Sequence, residues 1–377
     1  MDKKLLTVFC FTDIHNQQSM LDYPTVLRSS AVTAAEDALA EFGMADLSLI
    51  GGDNVSDYPY WNKSCWLPKK NFLDIKDKLV KNFARTAVGE KVLYVSGNND
   101  MILGDIGTEE NEPYNTTDFY YSGPMNATLG ELSGSECYTV RSEQKPQEAP
   151  YLDAFHYVVN GFDFIGINVD PNTAFNSHEG YYTNETLGWV KNKLHEIDPD
   201  GTKPVFVVGH LSALYYRHDK WEETMINGDV GRFYDALSGH RNLFYLYGHL
   251  HGAGYVYKDY SSGAVVHMDS SFTPLGENLQ SLSNKDCADY DFTLVHMGGL
   301  RPFASKDVKY FEDDGLTGYG GNPEKSFSVS TGTPRLAQYL VFEVYRDRAV
   351  FSVRNAGSME GYARSDKPAS YTVYFRK

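Results

Sequence analysis

Cysteine is scarce in this chain. Only Cys10, Cys65, Cys137 and Cys287 occur among 377 residues, and none forms a C-x-x-C pair. That scatter argues against a thiolate zinc site, and Cys10, inside an apolar run, reads as a small buried hydrophobe. Disulfides among the other three stay open. Long hydrophobic runs are missing as well: no stretch reaches the ~20 apolar residues that span a bilayer. Lys3-Lys4 followed by Leu5–Phe11 imitates the start of a secretory signal. The run is short, has no small-residue cleavage site and leads straight into Asp13 and His15, so it reads as the first core strand. Positive charge is in short supply too, with 34 Lys+Arg against 50 Asp+Glu and a net charge of −16. Such a surface repels nucleic-acid backbones and anionic membranes, so an anionic substrate has to be drawn in by something locally positive. Bound metal meets that need.

What is present is an ordinary globular composition, 42% hydrophobic and 22% charged, with no internal repeat and no Pro/Gly/Ser linker. A core of useful size can form without staples. The first half alternates strand and helix. Leu5–Thr12 reads as a strand, Val26–Phe42 as an amphipathic helix closed by Gly43, and Leu47–Ile50 as a strand. Phe72–Ala87 reads as a second helix and Val92–Ser96 as a third strand. The stretch Ile102–Pro150 lacks periodicity and reads as an insertion near the site. Ala154–Asn168 carries Asn160-Gly161 between two apolar runs, a hairpin signal. Leu187–Ile197 is helical with Asn184 as its expected N-cap. Strands are expected at Val205–Val208, Leu243–Tyr247, Tyr255–Tyr257 and Val265–Met268. A β-rich part from about residue 290 to 377 follows, with strands at Phe292–Met297, Tyr339–Tyr345, Val350–Arg354 and Tyr371–Phe375. One domain over residues 1–377, with two packed sheets, fits this order better than two domains.

Five short segments place metal-ligand residues just after an expected strand. They are Asp13-Ile14-His15, Gly52-Asp53-Asn54, Gly97-Asn98-Asn99-Asp100, Gly209-His210 and Gly248-His249-Leu250-His251. Polar residues at strand C-termini face the crevice where open α/β sheets bind ligands. Together the segments offer Asp13, Asp53, Asn98, His15, His210, His249 and His251. This mixture of oxygen and imidazole suits Mn, Fe, Zn or Ni and is too rich in nitrogen for a Ca²⁺ cage. Each segment is weak alone, since turns and structural histidines look the same; the weight lies in all five occurring in this order.

The order D-x-H, G-D-x, G-N-x-D, G-H, G-H-x-H resembles the calcineurin-like metallophosphoesterase superfamily, which includes purple acid phosphatases, phosphoprotein phosphatases and several phosphodiesterases. The resemblance runs from Asp13 to His251. It implies a four-layer α/β/β/α sandwich of two mixed sheets flanked by helices, with the metal site at strand C-termini. It also implies that Asp13, His15 and His251 bind one of two divalent or trivalent metal ions, that Asn98, His210 and His249 bind the other, and that Asp53 bridges them. The expected activity is hydrolysis of a small phosphorylated ester by a metal-bridging hydroxide, which explains why no Ser or Cys nucleophile is needed.

One position departs from the pattern. Many family members carry a His where this chain has Asn99, and an amide cannot act as a general acid. Asp100, His178 and His218 are candidate replacements, each with a plain structural alternative. Some phosphodiesterase-type members also lack that His, which tilts the expectation slightly toward diesters or anhydrides. A phosphomonoesterase, a protein or nucleotide phosphatase, and a catalytically weak metal-binding module remain as alternatives. Aromatic residues at Tyr58-Pro59-Tyr60-Trp61 and Tyr215-Tyr216, together with Arg217, read as local packing and a solvated cation. Specificity is expected in Ile102–Pro150 and in the loops after His210.

Overall fold

Runs of β-branched and aromatic residues become strands along the chain, and most are buried on both faces, as parallel sheets require. The computed structural model describes residues 2–14, 26–53, 81–98, 136–138, 153–170, 182–213, 216–218, 221–223, 230–249, 265–268, 290–300, 309–311, 326–328, 338–355 and 370–377. Strands in chain order are β1 Leu6–Phe11, β2 Leu47–Ile50, β3 Val92–Tyr94, β4 Glu136–Tyr138, β5 Ala154–Val159, β6 Phe162–Ile167, β7 Val205–Val208, β8 Tyr216–His218 and β9 Trp221–Glu223. They continue with β10 Leu243–Tyr247, β11 Val265–Met268, β12 Phe292–His296, β13 Lys309–Phe311, β14 Ser326–Ser328, β15 Gln338–Val344, β16 Arg348–Asn355 and β17 Ser370–Tyr374. The helices whose bounds are described are α1 Val26–Phe42, α2 Asn184–Ile197 and α3 Val230–Leu237, and residues 81–84, within the expected helix Phe72–Ala87, are helical as well.

Two mixed sheets result. The first has the order β17-β16-β15-β1-β2-β3 and the second β11-β12-β10-β7-β6-β5-β4, while β8-β9 and β13-β14 are separate ribbons. Within the first, β1, β2 and β3 are parallel and β15 joins β1 antiparallel. Within the second, β6, β7, β10 and β12 are parallel, and β5 and β11 close the run antiparallel. The β-rich C-terminal part is thus divided: β12 enters the second sheet and β15–β17 complete the first.

Aromatic residues fill the space between the sheets. Phe206 stacks on Phe342 with ring centroids 4.9 Å apart, and Phe244 meets Phe351 at 5.3 Å. On the opposite face of β1, Phe9 reaches Phe42 of α1 and Phe11 stacks on Phe83. Small Ala31, Ala34, Ala35 and Ala38 are all buried and let α1 approach its sheet closely. Under α2 and α3 lies a second core containing Ile165, Val190, Leu194, Val207, Phe233 and Tyr245. The layers are α1, first sheet, second sheet, then α2 with α3: the expected α/β/β/α sandwich.

Local signals explain the boundaries. Gly43 takes φ 74° and its N–H bonds to the Leu39 carbonyl, ending α1 where expected. Asn160 and Gly161 both have positive φ, 52° and 83°, as the hairpin signal requires. The cap of α2 is one residue earlier than expected: Thr183 accepts the Thr186 N–H at 3.1 Å, so Asn184 is already inside the helix. Helix α3 is an addition to the expected elements: its apolar residues fall on one face, but over only eight residues. Its Phe233 and Tyr234 bury completely, and packing rather than propensity sets it. Cys10 is buried and free, and burial pushes its thiol pKa up. Tyr255–Tyr257, much of Phe72–Ala87 and nearly all of Ile102–Pro150 lie outside the described residues.

Candidate metal centre

Three strands of the first sheet and two of the second end at one edge of the sandwich. There β1 leads to Asp13, β2 to Gly52-Asp53 and β3 to Gly97-Asn98, while β7 leads to Gly209-His210 and β10 to Gly248-His249. Backbone hydrogen bonds carry the ladders into these turns. Gly51 donates to Phe11 at 2.7 Å, Asp13 to Gly52 at 3.0 Å, Gly209 to Leu246 at 3.0 Å and Gly248 to His210 at 3.0 Å.

The side chains converge. Ligand atoms of Asp53, His210 and His249 all lie within 4.8 Å of one another. His210 Nε2 stands 3.1 Å from Asp53 Oδ2 and 3.3 Å from His249 Nδ1, which is 2.9 Å from Asn98 Oδ1. Asp13 enters from the side. Its two carboxylate oxygens accept the His249 backbone N–H at 3.1 and 3.0 Å, and Oδ2 also accepts from Thr12 Oγ1 at 2.8 Å. Asp13, Asp53 and His210 are wholly buried.

Two carboxylates at this depth require positive charge close by. Burial pulls the His210 pKa down. The charge and hydrogen bond of Asp53, the charge of Asp13 and the Gly51 carbonyl outweigh it and push the imidazole up to about 9. The same field favours a metal cation, which competes with that proton for the nitrogen. His210 Nδ1–H donates to the Gly51 carbonyl at 2.7 Å, leaving Nε2 to face Asp53 and His249. A carbonyl partner of this kind fixes the tautomer and ring direction of a ligating histidine. The described donors therefore fit a transition-metal ion: carboxylate and amide oxygens with two imidazole nitrogens.

Holding these groups together strains the backbone. Asp13, Asp53 and His249 have φ of 52°, 51° and 71°, a region that costs non-glycine residues roughly 1–3 kcal/mol each. Gly52, at φ 95°, shows why the motif carries glycine: a Cβ there would lie 2.5 Å from the Gly97 nitrogen and 2.8 Å from His210 Nδ1.

A family model for calcineurin-like phosphoesterases matches residues 6–253 of the chain. The chain belongs to the calcineurin-like phosphoesterase family. It is therefore a hydrolase acting on phosphoric ester bonds, in a family that works with a metal pair. Among solved structures it is similar in fold to a dimetal phosphatase from Danio rerio, with 12% identity, 99% of this chain and 100% of that chain covered, and a TM-score of 0.52. It also matches a predicted phosphoesterase from Streptococcus pneumoniae at 9% identity, covering 98% of this chain and 97% of that one, with a TM-score of 0.33. A 5'-nucleotidase precursor from Thermus thermophilus matches at 12% identity over 98% of this chain and 54% of that one, with a TM-score of 0.35. No curated protein matches.

Of the seven residues expected as ligands, this calcineurin-like phosphoesterase brings Asp13, Asp53, Asn98, His210 and His249 to one place. His15 and His251, like Asn99, Asp100 and His178, lie outside the described residues. His218 falls in the β8–β9 ribbon, whose side chains are also outside the description. Sequence reasoning missed the groups that hold the ligand loops. Asn168, at the end of β6, accepts the Ser96 N–H at 2.8 Å, and Ser96 Oγ accepts the Val169 N–H at 2.8 Å. Tyr182 and Tyr245 anchor the His210 turn. His296, at the end of β12, is buried edge-on against Tyr247. Burial, with a contribution from the nearby His210, pushes its pKa down to about 3 against the pull of the Gly248 carbonyl, so it stays neutral.

Proposed function

We propose that Asn98, His210 and His249 hold one metal ion, that Asp13 with His15 and His251 holds a second, and that Asp53 is shared between them. The observation that carries this reading is the convergence of Asp53, His210 and His249 beside Asn98 and Asp13 at one edge of both sheets. The donor set favours Mn, Fe, Zn or Ni over Ca²⁺. When bound, such a pair supplies Lewis acidity that activates water and neutralises phosphoryl charge during in-line displacement.

The chain's own part is orientation and electrostatics. Asp53 is wholly buried against His210, so its carboxylate direction is set before substrate arrives. The Gly51 carbonyl keeps one His210 proton on Nδ1, so Nε2 is the nitrogen at which a metal ion would replace the second proton. Asn98 contributes a neutral amide oxygen, which leaves the site more electropositive toward a phosphate than another carboxylate would.

Asn99 follows directly and offers no proton to a leaving oxygen. Loss of a general acid typically costs ~10²–10⁴ in rate, least where the leaving group is already acidic. We infer a small phosphorylated substrate with a good leaving group, a phosphodiester or anhydride ahead of an unactivated monoester. The placement of β15–β17 beside β1 supports reading residues 1–377 as one domain.

The test is metal content together with bis-aryl and mono-aryl phosphate hydrolysis, measured on one preparation each of wild type and Asp53→Ala. The reading expects two ions per chain, faster diester turnover, and loss of metal and activity in the variant. That loss should exceed the about 10–100-fold typical of changes to groups behind the ligands. A wild type that holds two ions yet leaves every activated ester intact overturns the hydrolytic role of this site.

A further inference from the structure

The turn carrying His210 is held by two buried phenols that no motif marks. Tyr182 Oη accepts the backbone N–H of His210 at 3.0 Å and that of Leu211 at 3.1 Å. Tyr245 Oη donates to the Leu211 carbonyl at 2.8 Å and lies 3.0 Å from Tyr182 Oη. A phenol has one hydrogen to donate. Because Tyr245 commits its hydrogen to Leu211, Tyr182 must donate to Tyr245, and the proton direction through the chain is fixed. Tyr182 Oη then accepts twice and donates once.

Packing leaves neither ring another place to go. Tyr182 stacks on Phe233 at 5.8 Å, and Phe233 meets Tyr245 edge-on at 4.8 Å. Both hydroxyls press on Gly209, where a Cβ would sit 2.6 Å from each. Tyr182 stands one residue before the Thr183 cap of α2, so the entry of that outer helix reaches in to the backbone of His210.

The His210 ring is thus aimed from two sides. The Gly51 carbonyl holds Nδ1, and the phenol pair holds the main chain from which the ring projects. We propose that Tyr182, backed by Tyr245, is a positioning residue for His210 and governs the affinity of the metal ion that His210 shares with Asn98 and His249. The inference rests on the two-metal reading above. It adds that affinity for the two ions is set separately, because the phenols touch the His210 turn while Asp13 is held by Thr12 and the His249 amide.

The test uses the full chain stripped by chelation and titrated with Mn²⁺, read by calorimetry and by electron paramagnetic resonance for spin coupling between neighbouring ions. The variants are Tyr182→Phe, Tyr245→Phe and Tyr157→Phe; Tyr157 is a buried phenol without a hydrogen-bond partner among the described residues. For Tyr182→Phe, one of two Mn²⁺ affinities falls by about 10–100-fold, the range for losing a partner that orients a ligand. The other affinity holds, and the coupled signal gives way to that of an isolated ion. Tyr245→Phe falls less, because Tyr182 still accepts both amides, and Tyr157→Phe is unchanged. Thermal unfolding of the stripped proteins reports any purely structural cost.

Lower unfolding temperature with both affinities intact makes Tyr182 merely structural and overturns the proposal. Equal weakening of both ions overturns it as well. Should Tyr182→Phe fail to fold, Tyr245→Phe decides on the same two readouts. Uptake of only one ion by the wild type is a different failure: it sinks the two-metal reading itself before any variant is compared.

Discussion

The two sheets supply different halves of the site and hold them differently. Among the described candidate donors, the oxygens come from the first sheet, with Asp13 after β1, Asp53 after β2 and Asn98 after β3, while the imidazoles come from the second, with His210 after β7 and His249 after β10. The oxygen side is held mainly by main chain: Asp13 and Asp53 sit in strained positive-φ conformations locked by Gly51–Phe11 and Asp13–Gly52 hydrogen bonds. Behind His210 the holding groups are phenols. Stitches between sheets then join the halves: His210 Nδ1 to the Gly51 carbonyl, the His249 N–H to Asp13, and Ser96 with Asn168. Short carboxylates need only a turn in the right place, whereas a long flat ring needs its backbone anchored from behind.

The largest effect should come from breaking the main-chain half. Gly52→Ala puts a methyl against the Gly97 nitrogen and forces a side chain into φ 95°. We expect a loss of roughly 2–5 kcal/mol, combining left-handed strain with overpacking, read as a lower denaturant midpoint. An unchanged midpoint would show that the first sheet tolerates slack at its edge.

On the second sheet, His296 gives a pH test. Its folded pKa of about 3 lies below the ordinary value of 6.5, so between those limits the unfolded chain binds the extra proton. Its contribution is complete above about pH 6.5 and disappears as pH falls toward 3, with a slope approaching about 1.4 kcal/mol per pH unit. Chelator-treated His296→Leu should show a shallower acid loss of stability than wild type; parallel curves would refute the assignment.

Asn168→Ala cuts a stitch between the halves and leaves the buried Ser96 N–H without its acceptor, at a cost of about 1–3 kcal/mol. Metal content should drop with it, because the Gly97-Asn98 turn follows directly. Stability loss with metal content intact would confine Asn168 to a structural role. Least of all, Thr183→Ala removes the α2 cap for about 1 kcal/mol. Because Tyr182 precedes it, a Mn²⁺ affinity that moves as well would extend the phenol anchoring into the helix.

Much of this was legible beforehand where the signal is local. The bounds of α1, β2, β7, β10 and β11 match their apolar periodicity residue for residue, and Asn160-Gly161 turns as the pair demands. The motif order singled out Asp13, Asp53, Asn98, His210 and His249 as candidates, and the fold gathers these five side chains at one sheet edge because each directly follows a strand. The cap at Thr183 was misplaced by one because Thr and Asn both cap well, and only the 3.1 Å bond to Thr186 separates them. Helix α3 was missed because its apolar face runs over only eight residues, too short a window to tell a helix from a loop, and its aromatic contacts come from distant segments.

By itself the sequence determined which candidate donor stands at each strand end and the chemistry such groups suit, since both are properties of single residues and short spacings. Tertiary structure alone decided which backbone each donor leans on. Tyr182 and Tyr245 stand 63 positions apart and carry no mark of their partnership. They meet at His210 only because α2 and α3 pack over the second sheet, and a hydrogen bond across that distance is a consequence of the fold rather than of any pattern along the chain.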